Sequence, residues 1–143
     1  MSFRDGMLQE EGFETDDEGF TLTIGLPRYR SLPLSCVNVQ RLSLDGEECD
    51  LSTAVLHLDG RDHELRRLPD LYQEWWFVAD RARLRVRRPG GIPPGEHDVE
   101  LVMGLRVPYI FMEGKSECPI DVTRCRKRLR CVAGRGTAGS AGR

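Results

Sequence analysis

No apolar run in this 143-residue chain approaches the roughly 20 residues needed to cross a bilayer, so a membrane span is not expected. A secretory leader is missing as well. Met1-Ser2-Phe3-Arg4-Asp5 runs straight into an acidic stretch with no apolar segment behind it, and a cytoplasmic address is expected by default. Charge of one sign is also lacking: 21 Lys and Arg face 23 Asp and Glu, for a net charge of -2. That balance argues against a dedicated nucleic-acid binder and against a disordered polyelectrolyte. The five cysteines are an odd number with no CxxC pair among them, which argues against a disulfide scaffold. Cys118, Cys125 and Cys131 do cluster, but no histidine lies near them in sequence. They read as buried or bystander thiols rather than zinc ligands.

What is present is a period of two. Phe20 to Leu26 alternates apolar and small residues, as a strand with one buried face requires. Val37 to Leu44 resumes the pattern and ends at an Asp45-Gly46 hairpin turn. Further strands are expected over Thr53–Leu58, Glu74–Val78, Ala82–Val86, His97 to about Ile110, and Ile120–Val132. Residues 61–73 read as a polar loop with a short strand or turn at its start. Pro89-Gly90-Gly91-Ile92-Pro93-Pro94-Gly95 can only be a loop. The fold class is therefore all-β: an antiparallel β-sandwich of about seven strands with little or no helix. One domain is expected over 20–132, preceded by an acidic arm over 1–19 and followed by a Gly/Ala/Arg-rich tail over 133–143. Arg124, Arg126, Lys127, Arg128 and Arg130 make the last strand basic. No interleaved aromatics are there to stack bases, so strand-edge charge explains them better than RNA.

Chemistry-bearing groups are sparse. No serine sits in a Gly-x-Ser-x-Gly elbow, and His57, His63 and His97 read as ordinary strand or loop histidines. Asp62-His63-Glu64 has metal-binding composition, but neighbours on an extended chain point to opposite faces and would converge poorly. No catalytic residue and no metal ligand is assigned. Trp75-Trp76 should split the same way, one tryptophan in the core and the other exposed or at an interface. The most suggestive segment is Leu26-Pro27-Arg28-Tyr29-Arg30-Ser31-Leu32-Pro33-Leu34. Two arginines flank a tyrosine on a stiff, proline-bounded connection, a chemical set suited to meeting another molecule.

The run Gly25-Leu26-Pro27-Arg28-Tyr29-Arg30-Ser31-Leu32-Pro33-Leu34-Ser35 resembles the small (beta) subunit of bacterial C-glycoside deglycosidases. Leu44-Asp45-Gly46-Glu47-Glu48, Trp76-Phe77, the run from Leu84 to Glu100 and Leu105-Arg106-Val107-Pro108-Tyr109 follow in family order. Residues 111–143 depart from the pattern, and nothing is carried onto them. The resemblance implies a larger partner, a TIM-barrel alpha subunit holding a divalent metal, usually manganese. It also implies a substrate oxidised to a 3-oxo-C-glycoside, whose ketone acidifies the adjacent C–H so that the aglycone leaves by elimination. The small subunit would bind no cofactor itself. Arg28, Tyr29, Arg30, Trp75 and Tyr109 are then the candidates for the subunit interface or the substrate's surroundings. The alternative reading is a free-standing carbohydrate-binding or adaptor sandwich, with Trp75-Trp76 as its platform.

Overall fold

The computed structural model describes residues 7–26, 32–58, 60–71, 73–77, 80–106 and 120–133. Eleven strands lie within them: β1 (Glu14–Asp16), β2 (Gly19–Gly25), β3 (Leu32–Pro33), β4 (Val37–Leu44), β5 (Glu47–Glu48), β6 (Val55–Leu58), β7 (Arg61–Glu64), β8 (Trp75–Trp76), β9 (Arg81–Arg87), β10 (Gly95–Arg106) and β11 (Ile120–Ala133). Seven of these reach four residues or more, which matches the expected number. Two 3-10 turns, Leu34–Cys36 and Leu65–Asp70, interrupt the succession of strands.

Nine strands hydrogen-bond in the order β5-β4-β10-β11-β1-β2-β9-β6-β7, and β3 pairs with β8 in a separate ribbon. Alternation puts Phe20, Leu22 and Ile24 of β2 on the same inner face as Ala82, Leu84 and Val86 of β9. On the other half, Val99, Leu101, Met103 and Leu105 of β10 face inward beside Leu42 and Leu44 of β4. Both inner faces belong to one buried cluster, so the two halves are the layers of a sandwich. A fully buried Phe20 or Leu101 contributes about 2–3 kcal/mol through removal of its surface from water. Arg83 and Arg85 lie between the inward residues of β9 and face outward, as alternation requires.

The halves join where β1 runs parallel to β11, with Glu14 opposite Val132 and Thr15 opposite Ala133. The expectation of a separate acidic arm needs correcting here. From Met7 onward that segment belongs to the sandwich: Met7, Leu8 and Phe13 are buried, and Leu8 bridges Ile24. Phe13 meets Phe20 of one layer and His97 of the other edge-on, at centroid distances of 6.2 and 6.1 Å. Of the acidic residues that follow, Glu14 lies 4.0 Å from Arg83, and Asp16 and Glu18 lie beside Arg85. Asp16 takes a two-pronged hydrogen bond from Arg85, at 2.8 and 2.9 Å. Lys127, placed on the inner side of β11 opposite Val99, donates to the carbonyl of Leu8 at 2.8 Å.

Other boundaries shift modestly. The aromatic strand shrinks to Trp75–Trp76, and the start of the polar loop forms β7 against β6. The Pro89–Gly95 loop packs on the β1–β2 turn. There Gly91 (φ +69) approaches so closely that a Cβ would lie 2.1 Å from the Asp16 carbonyl, leaving room for glycine alone.

Candidate functional site

Strand register determines what gathers at one end of the sandwich. β2 ends there at Gly25 opposite Arg81, the start of β9, and β4 begins there with Val37 opposite Leu105. Arg106 and Ile120 face each other as β10 ends and β11 begins. The chain leaves this end at Leu26 and returns at Leu32 in β3, whose pairing sets Leu32 against Trp76 and Pro33 against Trp75. Arg28, Tyr29 and Arg30 fall between those points, outside the described residues, and so does Tyr109.

Trp75 and Trp76 divide as alternation predicts. Trp76 is fully buried and its indole N–H donates to the Asp80 carbonyl at 3.0 Å, whereas Trp75 is 45% exposed. Phe77 next to it is exposed as well. An exposed indole beside an exposed phenyl offers flat apolar surface with a polar rim, the chemistry of a protein contact or a stacked ring.

At the opposite end, His97 is 8% exposed and engaged on both nitrogens. Nδ1 meets the Asp45 carboxylate at 2.6 Å and Nε2 meets the Pro93 carbonyl at 2.7 Å. Both partners are acceptors, so both nitrogens must donate, and the ring is held as an imidazolium. Burial would lower its pKa, but the bonds to Asp45 and Pro93 outweigh that and raise it. Asp45 is lowered in return, chiefly by the His97 bond and then by the Asp98 backbone N–H. This geometry locks a loop and leaves no nitrogen free to take a proton from a substrate. His57, on the outer face of β6, pairs with Asp62. Among the described residues, no group of three His, Cys, Asp or Glu side chains could hold a metal ion, and Asp62-His63-Glu64 does not converge. Cys125 and Cys131 face the core, and burial, with Glu14 nearby, pushes the Cys131 thiol up to about 11. Cys118 lies outside the described residues.

One feature is not foreseen by the sequence patterns above. β4 carries a bulge: Arg41 is opposite Val102 and Val39 opposite Met103, which leaves Gln40 as the extra residue. Its signal is a broken alternation, with the buried residues of β4 at 37, 39, 42 and 44.

Comparison with known proteins agrees with the resemblance carried by the motifs. The family described as C-glycoside deglycosidase beta subunit matches residues 3–109. The 3'-dehydrocarminate deglycosidase beta subunit of a Microbacterium species is 29% identical over 114 residues, covering 79% of this chain and 85% of its own. The C-glycoside deglycosidase beta subunit of Microbacterium trichothecenolyticum is 27% identical over 132 residues, 90% of this chain and 97% of its own. One from Arthrobacter globiformis is 28% identical over 111 residues, 77% of this chain and 84% of its own. An all-β sandwich with the Arg-Tyr-Arg corner sequence, matched by the family over most of its length, belongs to the C-glycoside deglycosidase beta subunits.

Proposed function

We propose that this chain is the small subunit of a complex that cleaves the C-glycosidic bond of 3-oxo-glycosides by elimination. Its larger partner is a metal-dependent TIM-barrel alpha subunit, and this chain covers that subunit's active site. The family match over residues 3–109 carries the reading. The name of one relative, a deglycosidase acting on a 3'-dehydro compound, supports a ketone-bearing substrate. Among the described residues no group of three donor side chains could hold a metal ion, in keeping with an ion held by the partner.

The physical case for a cover is general. Loops at the C-terminal face of a barrel leave the site open to water. Closing that face strengthens every electrostatic interaction inside it and protects a carbanion-like species from stray protons. Arg28, Tyr29 and Arg30, with Trp75 and Tyr109, supply hydrogen bonds and ring surface for that closure.

The test is co-expression with the alpha subunit and an assay on a 3-oxo-C-glycoside. Release of the aglycone should require both chains. Full turnover by the alpha subunit alone, or by this chain alone, overturns the proposal.

A further inference from the structure

From the geometry of the sandwich end that holds Trp75, we infer that the furrow across the ends of β4, β10 and β11 anchors an extended acidic segment of the alpha subunit. This rests on the reading of the chain as a subunit of that complex.

Two features build the furrow. Gly104, inside the longest run of β10, has no side chain and lies between Asn38 of β4 and Val122 of β11. The bulge in β4 re-aims Gln40 across it: a Cβ at Gly104 would lie 2.4 Å from the Gln40 amide nitrogen. Bulges and strand glycines recur where another backbone comes close. The resulting cleft has a volume of about 360 Å³ and includes Asn38, Gln40, Arg66, Arg106 and Ile120 in its wall.

Its chemistry selects the occupant. Asn38 and Gln40 each offer an amide donor and acceptor, which match the alternating groups of an extended peptide. Among the described residues of the wall, the charged side chains are Arg66 and Arg106, with no carboxylate. Arg66 already meets Glu64 at 3.4 Å, while Arg106 meets no acidic side chain among the described residues. A carboxylate on the incoming segment would supply one. Beside the cleft, Ile120 and Val122 share the outer face of β11 at 61% and 55% exposure. With Trp75 and Phe77, this end holds four of the five large exposed apolar side chains of the described residues. Such concentration marks a contact surface.

The test uses the full chain and the purified alpha subunit. Arg106→Glu combined with Ile120→Ser and Val122→Ser alters only exposed side chains, so the melting temperature should hold. Its dissociation constant for the alpha subunit should rise roughly tenfold or more, the scale of losing a charged contact and its apolar neighbours. Part of that loss should shrink as salt is added. Val132→Ser, at the far end of β11, should leave binding unchanged. If the wild-type chain binds and the triple variant binds equally tightly, the furrow assignment is overturned while the subunit reading stands. The assignment is equally overturned if the variant loses only self-association in ultracentrifugation, since a second copy then fills the furrow. If the wild-type chain fails to bind the alpha subunit at all, both readings fall.

Discussion

His97 and Asp45 meet at 2.6 Å across the β10–β4 boundary, tying the long central strand to a hairpin turn. Asp45 takes φ +51 there and accepts the Asp98 N–H at 2.9 Å with its second oxygen. One carboxylate thus holds the turn, the neighbouring backbone and the imidazolium together.

Stability should therefore depend on pH in a defined sense. Folded His97 keeps its proton to higher pH than the unfolded chain does, because its pKa is raised. Its contribution is complete below about pH 6.5 and disappears as pH climbs through the folded value. Asp45, lowered, contributes above its ordinary value and loses that only as acid reaches the folded one. Melting temperature should decline as pH rises above about 6.5 in the wild type. The decline should flatten in Asp45→Asn, which tolerates the positive φ. His97→Gln should cost about 1–3 kcal/mol at pH 6, read by urea denaturation.

Arg85→Lys should lower stability by about 1–2 kcal/mol, because an ammonium cannot reproduce the two parallel bonds to Asp16. That carboxylate also receives the backbone N–H groups of Glu18 and Gly19 at 2.8 and 3.1 Å. Its pKa is lowered, first by the Arg85 bond. The pair's stabilisation should accordingly vanish on acidification through the folded value, and the variant should show a shallower acid transition in circular dichroism.

The adjacent tryptophans should separate cleanly. Trp76→Ala removes a fully buried indole and should cost about 3–5 kcal/mol, enough to threaten folding. Trp75→Ala should change stability by less than about 0.5 kcal/mol yet weaken assembly with the alpha subunit. Thermal melts and binding isotherms on the two variants check both halves.

Arg28→Ala combined with Arg30→Ala should leave the sandwich folded and reduce turnover of the assembled complex. If these arginines belong to the proposed cover, losing two cationic hydrogen-bond donors should reduce it by about 10-fold or more. Steady-state kinetics on the reconstituted complex measure it.

The layers were readable because Phe20-Thr21-Leu22-Thr23-Ile24 and Arg83-Leu84-Arg85-Val86 alternate without interruption, and alternation is imposed by the pleat itself. The N-terminal strand was not, because Phe13 is a lone aromatic among acids; its burial comes from contacts with Phe20 and His97, on two different layers. That Trp75 and Trp76 face opposite ways followed from parity, which does not say which of them is exposed. The furrow needed three strands to be in register, and only the broken spacing at Gln40-Arg41 hinted at it.

The two-residue parallel join between Glu14-Thr15 and Val132-Ala133 spans almost the whole polypeptide. Its two sides come from opposite ends of the sandwich sequence, so this pairing carries a high loop-closure cost, whereas the antiparallel pairing of β1 with β2 beside it is local. Leu8 and Phe13 can therefore pack early on Ile24 and Phe20 of β2, and the parallel join that closes the two layers together is expected to form late.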